Sequence, residues 1–376
     1  MDTAVLKNYL ESLVQDKIPG CACVVYHDHK PVFRHIAGFA DTEKTLPLDT
    51  DSIFWLYSTS KLITCTAILQ LAEEGALRLD DPVSVYLPEY ADLTVKNGTQ
   101  IEKVKTSMTI RHLLTMQSGL NYNLEAPAIQ KALADTNGKA TTREIIRALA
   151  QEPLDFEPGT RYQYSLSHDV LGAIIEVAAK QTFGDYLKKS IFEPLGMKHT
   201  GFRMAPDEKA HLSGLFTFDQ KNETSVPISP DNVFVFSENY ESGGAGLFST
   251  LDDYMLFLDA MSNGGVSADG YRVLTSKSID LMRTNELHGI SQKDYDQLGK
   301  RGYGYGLGVR TLIEKAQSGA KSPLGEFGWD GAAGAYALID VEHHLSIFYL
   351  QHVHNCNIAY DMIHPKIRDI VYETLL

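Results

Sequence analysis

The sequence predicts an α+β fold in which an antiparallel sheet is flanked by helices and carries an inserted, mainly helical domain. Two observations predict it. Strand-like patterns of apolar residues lie near both ends of the chain, and helical periodicity fills the middle. Because strands from both ends can pair into one sheet, we expect a sheet domain made of residues 1–60 and 235–376, with the helical domain inserted at residues 61–234.

The N-terminal stretch predicts a helix followed by a hairpin. The first 20 residues have an amphipathic pattern, and they lack the basic start and continuous apolar core of a secretion signal. Cys21–Val25 and Pro31–Ala37 are expected to be paired strands, joined by a polar turn at residues 27–30. No stretch approaches the roughly 18 apolar residues that cross a bilayer. A cytoplasmic location is therefore expected.

Helices are predicted through the middle of the chain. Thr109 precedes the apolar residues of a short helix that ends near Gly119, and its hydroxyl suits an N-cap. Further helical patterns occupy residues 125–150, Ser167–Thr182 and Phe183–Leu195.

The last third of the chain returns to strands. The predicted strands are Gly214–Pro230, Ser242–Phe248, Tyr303–Val309, Phe327–Asp340 and Leu345–Val353. In the third of these, every second residue is glycine, which leaves one side of the strand bare. Two helices complete the chain, Leu251–Met261 with Thr250 as its cap, and Pro365–Leu375.

Composition excludes several classes of protein. An apolar content of 44% is ordinary for a globular protein. The formal net charge of −14 argues against nucleic acid or an anionic membrane surface as a partner. The cysteines do not form a disulfide framework and are expected to be small buried hydrophobes; they are Cys21, Cys23, Cys65 and Cys356.

The stretch Phe54–Gly75 carries the strongest sign of chemistry. It predicts a strand-like lead-in and then a helix that is apolar almost all round, and such a helix lies in a core. Ser58 and Lys61 lie at the start of that helix, and their spacing of three places both side chains on one face. A serine hydroxyl needs a neighbour that accepts its proton. A lysine among apolar side chains is poorly solvated, which favours the uncharged amine that can do so.

The same spacing occurs a second time, at Ser318 and Lys321, within a Ser/Gly/Pro-rich run that predicts a loop. The plain alternative for the first pair is a helix cap, Ser58, and a lysine that extends to solvent, Lys61. The buried helix behind the first pair favours the catalytic interpretation.

Several stretches together resemble the serine beta-lactamase and penicillin-binding protein superfamily, and most closely its class C beta-lactamase-like esterases. They are WLYSTSKLITCTAILQLAEEGALRLDDPVSVYLPEY, TIRHLLTMQSGL, YSLSHDVLGAIIEVAAKQTFGDYLKKSIFEPLGM, SGGAGLFSTLDDYMLFLDAMSNGG and YGYGLGV, in the order of the family. The first resembles the nucleophile helix, and the third begins with the second motif. The resemblance covers most of the chain, and it implies a beta-lactamase/transpeptidase-like fold and a serine hydrolase.

The resemblance also implies partners for Ser58. The second motif of the family is Tyr-x-Asn, and Tyr164-Ser165-Leu166 keeps its tyrosine and loses its asparagine. Tyr164 is thereby expected beside Ser58 and Lys61 as a partner in acid–base catalysis. A buried tyrosine with one satisfied hydrogen bond is the plain alternative.

The third motif of the family is usually Lys-Thr-Gly, and here it corresponds to Trp329-Asp330-Gly331. Tryptophan at this place is typical of the esterase branch. By resemblance, the backbone N–H groups of Ser58 and Ala332 form the oxyanion hole.

These departures from the family pattern bear on the substrate. Leu166 and Trp329 stand where the family has groups that hold the amide and the carboxylate of a beta-lactam. With Asp330 and Gly331 they are expected to line the substrate pocket, which suits a small neutral ester. Strand alternation can instead turn Asp330 away from the pocket. No metal or organic cofactor is required.

Other functions stay open at this point. A class C-type beta-lactamase, a D-amino-acid peptidase or amidase, and an acyltransferase would use the same acyl-enzyme. A metal hydrolase could use His352 and His354, which share one face of a predicted strand, but the HExxH pattern is missing. A binding protein with a decayed site is disfavoured because Ser58, Lys61 and Tyr164 are all present.

Overall fold

The computed structural model describes residues 3–374, so Met1, Asp2, Leu375 and Leu376 lie outside the described residues. The strands are β1 (Gly20–His27), β2 (Lys30–Gly38), β3 (Ile53–Trp55), β4 (Thr94–Asn97), β5 (Gln100–Lys103), β6 (Leu215–Asp219), β7 (Thr224–Ile228), β8 (Phe248–Thr250), β9 (Tyr303–Tyr305), β10 (Arg310–Leu312), β11 (Phe327–Asp330), β12 (Tyr336–Asp340), β13 (Leu345–Leu350) and β14 (Val353–His354).

The α-helices are α1 (Thr3–Asp16), α2 (Ser60–Glu73), α3 (Ile110–Leu114), α4 (Pro127–Asp135), α5 (Thr142–Leu149), α6 (Ser167–Ala179), α7 (Phe183–Leu187), α8 (Glu193–Leu195), α9 (Pro206–Lys209), α10 (Leu251–Ser262), α11 (Ser276–Arg283), α12 (Ile290–Asp296), α13 (Lys315–Ser318) and α14 (His364–Thr374). Short 3-10 segments occupy Tyr57–Thr59, Val83–Val85 and Pro88–Asp92, and π-helical segments occupy Lys188–Phe192 and Ala359–Ile363.

A seven-stranded sheet organises the fold, with the order β2-β1-β13-β12-β11-β10-β9. Its neighbouring strands are all antiparallel, and the pairing of β1 with β13 joins the two ends of the chain. The predicted α+β class, an antiparallel sheet flanked by helices, is thereby confirmed. The boundaries of the inserted helical domain stay a prediction.

Helices cover both faces of this sheet because side chains alternate along each strand. On β1, Cys21, Cys23 and Val25 pack with α1 and α14 on one face. Ala22 and Val24 belong to the larger core on the other face, which contains α2, α6 and α10. All four cysteines are buried and unpaired, as expected. No helix among residues 3–374 is long and apolar enough to cross a membrane.

Several predicted elements are confirmed where local signals were strong. The hairpin of β1 and β2 turns through Asp28 and His29, whose φ angles of 48° and 62° give the tight turn. Thr109 caps α3 by accepting a hydrogen bond from the N–H of His112. Thr250 caps α10 in the same way. The closing helix α14 begins at His364, and the predicted end at Leu375 lies outside the described residues.

All five strands predicted in the last third of the chain differ from the structure in extent. Gly214–Pro230 forms two strands, β6 and β7, and not one. Of Ser242–Phe248 only Phe248 is in a strand, and residues 242–247 form a turn packed against α6. A Cβ on Gly243 would lie 2.2 Å from the carbonyl oxygen of His168, so the glycine-rich run permits a close approach of backbones. The predicted strand Tyr303–Val309 ends at Tyr305 and turns at Gly308, whose φ is 78°.

The predicted strand Phe327–Asp340 also forms two strands and not one. Residues 331–335 turn between β11 and β12, and Gly334 has a φ of 89°. β12 then pairs with β13, which ends at Leu350, so the predicted strand Leu345–Val353 is also shorter than expected.

Candidate active site

Ser58 lies in the 3-10 turn between β3 and α2, directly below the end of β11. Its residue is 9% exposed. The preceding residue, Tyr57, has a φ of 48°, in the left-handed region that bulky residues rarely adopt. The fully buried Tyr57 ring is held by edge contacts with Phe234 and His354, at centroid distances of 5.8 and 4.8 Å. This packing fixes the unusual backbone that presents Ser58.

Lys61 is fully buried one turn later. Its Nζ donates to Ser58 Oγ over 3.2 Å and to the carbonyl oxygen of Gly244 over 2.7 Å. The turn of residues 242–247 therefore holds the amine against the serine. A nucleophile and a base within hydrogen-bond reach, with the base oriented by a further group, is the arrangement of an activated serine.

The Lys61 amine lies over the aromatic ring of Tyr164. Lys61 Nζ lies 4.6 Å from the centroid of the Tyr164 ring and 5.6 Å from that of Tyr122. Those two rings are stacked, with centroids 5.5 Å apart. The phenol oxygen of Tyr164 accepts a hydrogen bond from Trp329 Nε1 over 3.1 Å. Since Tyr164 is the acceptor there, its own O–H remains able to donate.

The stacked rings of Tyr122 and Tyr164 continue into Trp329, and the three rings form an aromatic wall. The Trp329 ring stacks on Tyr164 at 5.7 Å and meets the edge of Tyr305 at 5.1 Å. Phe234 contacts the other end of the wall through Tyr122, at 5.7 Å. The wall beside Ser58 is therefore formed mainly by aromatic rings and carries only phenol and indole dipoles.

The turn after β11 lies against the segment that leads to Ser58. A Cβ on Gly331 would be 2.5 Å from the carbonyl oxygen of Leu56, so only glycine permits this approach. The hydroxyl of Tyr360 donates to the carbonyl oxygens of Gly331 and Ala332, over 2.8 and 3.0 Å. Within residues 3–374, the N–H of Ala332 in this turn donates to no backbone carbonyl.

Asp330 does not offer a free carboxylate to this site, which corrects the expectation that it lines the substrate pocket. Its carboxylate accepts hydrogen bonds from Lys300 over 2.6 Å and from Arg310 over 3.1 Å. Burial alone would raise the pKa of Asp330, but the two cations outweigh it and hold that pKa well below its usual range. Alternation along β11 sends this side chain into a separate cavity of about 340 Å³ that Arg368 also lines.

Leu166 contributes little to the pocket surface. It precedes α6, is 3% exposed and packs in the main core. Direct contact of Leu166 with a substrate stays a prediction, and burial leaves little of its surface for it.

Sequence reasoning missed three residues that surround Lys61, namely Tyr122, Asp169 and Gly244. Asp169 is fully buried within the apolar helix α6. Burial raises its pKa, and hydrogen bonds from Ser242 and Tyr240 oppose the rise. An acid in the first turn of a mainly apolar helix was a signal in the sequence. Tyr122 and Gly244 had no such signal, because only the folded chain brings them to Lys61.

The histidines considered as metal ligands and the second Ser-x-x-Lys copy do not form sites. No group of three or more potential metal ligands occurs in the described part of the chain. His352 Nδ1 lies against the carbonyl oxygen of Ser213 at 3.1 Å, and burial lowers the pKa of His352 to about 4. At the second Ser-x-x-Lys copy, Ser318 is on the surface and Lys321 pairs with Glu373 at 3.5 Å.

Comparison with known proteins agrees with this architecture. The family model described as Beta-lactamase matches residues 5–355. Esterase EstB of Burkholderia gladioli is 30% identical, over 96% of this chain and 93% of its own. Protein Rv1367c of Mycobacterium tuberculosis is 29% identical, over 89% of this chain and 85% of its own.

Solved structures give the same result. EstCE1, a hydrolase with promiscuous acyltransferase activity, is 25% identical with a TM-score of 0.82, covering 98% of both chains. The simvastatin synthase LovD of Aspergillus terreus, at 23% identity and a TM-score of 0.81 over 99% of this chain and 98% of its own, shares the fold. With a family model that spans most of its length and an esterase relative over nearly all of it, this chain belongs to the beta-lactamase family and is a serine hydrolase of its esterase branch.

Proposed function

We propose that this protein is a carboxylesterase-like enzyme that cleaves small neutral acyl esters through an acyl-enzyme on Ser58. The observation that carries the proposal is the 3.2 Å hydrogen bond between the fully buried Lys61 Nζ and Ser58 Oγ. A buried lysine is costly unless its charge or its basicity is used. The likeness to Esterase EstB over nearly the whole chain supports the same class of reaction.

In the first half of the reaction, Lys61 and Tyr164 together take the Ser58 proton as Ser58 Oγ bonds to the ester carbonyl carbon. The bond from that carbon to the alcohol oxygen then breaks, and the alcohol leaves with a proton relayed through Tyr164. The Trp329 hydrogen bond supports this role, since it leaves the Tyr164 O–H free to donate. In the second half, a water oxygen bonds to the acyl carbon as Lys61 and Tyr164 take its proton. The bond from that carbon to Ser58 Oγ then breaks, the carboxylic acid leaves, and Ser58 Oγ recovers the proton.

The N–H groups of Ser58 and Ala332 are proposed to hold the oxyanion. Each such donor contributes on the order of 3 kcal/mol of transition-state stabilisation. The Ala332 N–H lacks a backbone acceptor within residues 3–374, and the contact of Gly331 with Leu56 brings the two segments together.

The aromatic wall favours an uncharged substrate. Trp329 stands at the motif position where a cation would hold the carboxylate of a beta-lactam, and the cations nearest Asp330 are engaged by its carboxylate. An ester with apolar acyl and alcohol groups matches rings that offer mainly apolar contact.

The test is to replace Ser58 and to use the second Ser-x-x-Lys copy as a matched control. Ser58→Ala should lose covalent labelling by a fluorophosphonate probe and lose hydrolysis of p-nitrophenyl acetate and butyrate. Ser318→Ala, on the exposed surface, should retain both. Labelling that survives in Ser58→Ala would show that another serine is the nucleophile.

Acyl transfer is a second candidate, favoured by the promiscuous acyltransferase activity of EstCE1. A further relative, Acyltransferase mokF of Monascus pilosus, is 27% identical over 75% of this chain and 70% of its own. The same acyl-enzyme would pass its acyl group to an alcohol in place of water. Incubation with a vinyl ester and a primary alcohol in buffer distinguishes the two, since a transferase yields the new ester and a strict hydrolase yields only the acid.

A further inference from the structure

Asp169 is held on one side only. Its Oδ1 accepts hydrogen bonds from Tyr240 Oη over 2.7 Å and from Ser242 Oγ over 2.6 Å. Both partners are donors, so the arrangement suits the ionised carboxylate. Its Oδ2 is buried without a hydrogen bond of good geometry among the described residues, and the N–H of Gly244 is the backbone donor that faces the carboxylate. An unpartnered buried carboxylate oxygen is costly, and it calls for a compensating charge nearby.

The basic side chain that can supply such a charge is Lys61, across the backbone of Gly244. A Cβ placed on Gly244 would lie 2.7 Å from Asp169 Oδ2, 3.3 Å from Tyr122 Oη and 3.4 Å from Lys61 Nζ. The three polar groups therefore surround one small region beside the glycine. Lys61 Nζ itself contacts the Gly244 carbonyl and Ser58, so Asp169 acts on the amine through space.

The other titratable groups around Asp169 carry no charge near neutral pH. Burial raises the pKa of the phenols of Tyr90, Tyr122 and Tyr240. Burial also lowers the pKa of His168, its neighbour on α6. Asp169 is thus the source of negative charge on this side of Lys61.

We propose that Asp169 is a positioning residue for the reaction, whose carboxylate stabilises the positive charge that Lys61 acquires when it takes the Ser58 proton. The proposal rests on the proposed function of Ser58 and Lys61. An opposite charge favours the charged form of a base, and a base oriented by a third group is the general logic of activated serines. Gly244 is the residue that permits this approach, because any side chain there would enter the region between the two charges.

Asp169→Asn tests the role by its pH profile. The plateau of kcat/KM for p-nitrophenyl butyrate should fall about 10- to 100-fold, less than the roughly 10²- to 10⁴-fold contribution of a group that transfers the proton itself, because Asp169 acts through Lys61. The acidic limb of the profile should also move to lower pH, because Lys61 without its counter-charge releases its proton more readily. A residue that only supports the fold would lower the plateau and leave the limb in place, and that outcome would overturn the proposal.

Asp259→Asn is the matched control. Asp259 is a buried acid paired with His29 at 2.8 Å beside the turn between β1 and β2, so its loss should leave the limb unmoved. A shift of equal size in this variant would point to a general loss of net charge and count against Asp169.

Gly244→Ala is an independent variant in case Asp169→Asn does not fold. Its methyl group would press Asp169 and Lys61 apart, so the limb should move in the same direction. Gly201→Ala, whose new Cβ makes only ordinary contacts at 3.6 Å, is its control. Fluorophosphonate labelling distinguishes failure of the Asp169 role from failure of the proposed function. If Asp169→Asn is labelled and its acidic limb does not move, only the role of Asp169 is overturned. If Ser58→Ala is labelled, the proposed function is overturned.

Discussion

Trp329 donates its indole N–H to the phenol oxygen of Tyr164 over 3.1 Å, and the two rings are stacked at 5.7 Å. The residue that replaces the usual cation of the third motif is therefore joined directly to the tyrosine of the second motif. This contact fixes the position of the phenol while leaving its proton free. Trp329, which is proposed to disfavour charged substrates, thus also orients Tyr164, the proposed acid–base group.

Trp329→Phe should separate these two effects. Phenylalanine keeps an aromatic wall and removes the hydrogen bond to Tyr164, which is worth about 1 kcal/mol. We expect kcat for p-nitrophenyl butyrate to fall about fivefold with little change in KM. The chain offers a matched control in its other tryptophan, because Trp55 donates to the carbonyl oxygen of Pro230 and not to Tyr164. Equal losses in Trp55→Phe would mean that the hydrogen bond to Tyr164 is not the cause.

Lys61→Met should lose both activity and stability. The methionine keeps the apolar stem and removes the amine, so ester hydrolysis should fall about 10³-fold. The free energy of unfolding should fall by about 3 kcal/mol, because the buried Asp169 carboxylate loses its counter-charge. Thermal unfolding and steady-state kinetics on one preparation measure both. Lys321→Met, at an exposed lysine, should alter neither. A Lys61→Met protein with an unchanged or raised Tm would contradict the expectation.

Tyr360→Phe tests the proposed oxyanion hole through the residue that anchors the turn carrying Ala332. The variant loses the hydrogen bonds to the Gly331 and Ala332 carbonyls and so frees the peptide that carries the Ala332 N–H. We expect kcat to fall about tenfold, less than the ~100-fold cost of removing a donor outright. Tyr372→Phe, which loses a hydrogen bond to Asp340, is the control. If kcat is unchanged while stability falls, Tyr360 only holds the strand.

The sequence predicted those parts of the site that depend on local pattern. Ser58 and Lys61 were found because their spacing coincides with a helix that is apolar all round, and that helix is α2. Tyr164 and Trp329 needed the family resemblance, since no periodicity marks them. Gly244 could not be found, because its carbonyl meets Lys61 across 183 residues of chain.

The same distinction explains the fold. Caps and turns with local hydrogen bonds, such as Thr109 and Thr250, were predicted correctly. The glycine-rich run at residues 242–247 was predicted as a strand because alternation and small residues also fit an extended chain. It folds as a turn because its glycines let the backbone approach α6, a tertiary contact that no window of sequence contains.

Turnover of beta-lactams should be slow. Neither Trp329 nor Leu166 offers a charge or an amide to the carboxylate and side chain of a penicillin, and Leu166 is buried in the core. We expect kcat/KM for a chromogenic cephalosporin to be at least ~10³-fold below that for p-nitrophenyl butyrate, since an unsatisfied buried charge and a lost amide contact each cost several kcal/mol. The comparison must be made on one enzyme preparation, with Ser58→Ala as the blank. Comparable rates for the two substrates would overturn the preference for neutral esters.

Stability should fall in mild acid because two buried histidines resist protonation. Burial lowers the pKa of His352 and of His364 from 6.5 to about 4. The unfolded chain therefore binds more protons than the folded chain between pH 6.5 and 4, so the free energy of unfolding decreases as the pH falls through that window. Each group contributes roughly 3 kcal/mol across the full window. His352→Gln should flatten the dependence of Tm on pH below 6.5, whereas His211→Gln, at an exposed position, should not. A slope that is the same in His352→Gln as in the parent protein would assign the acid sensitivity to other groups.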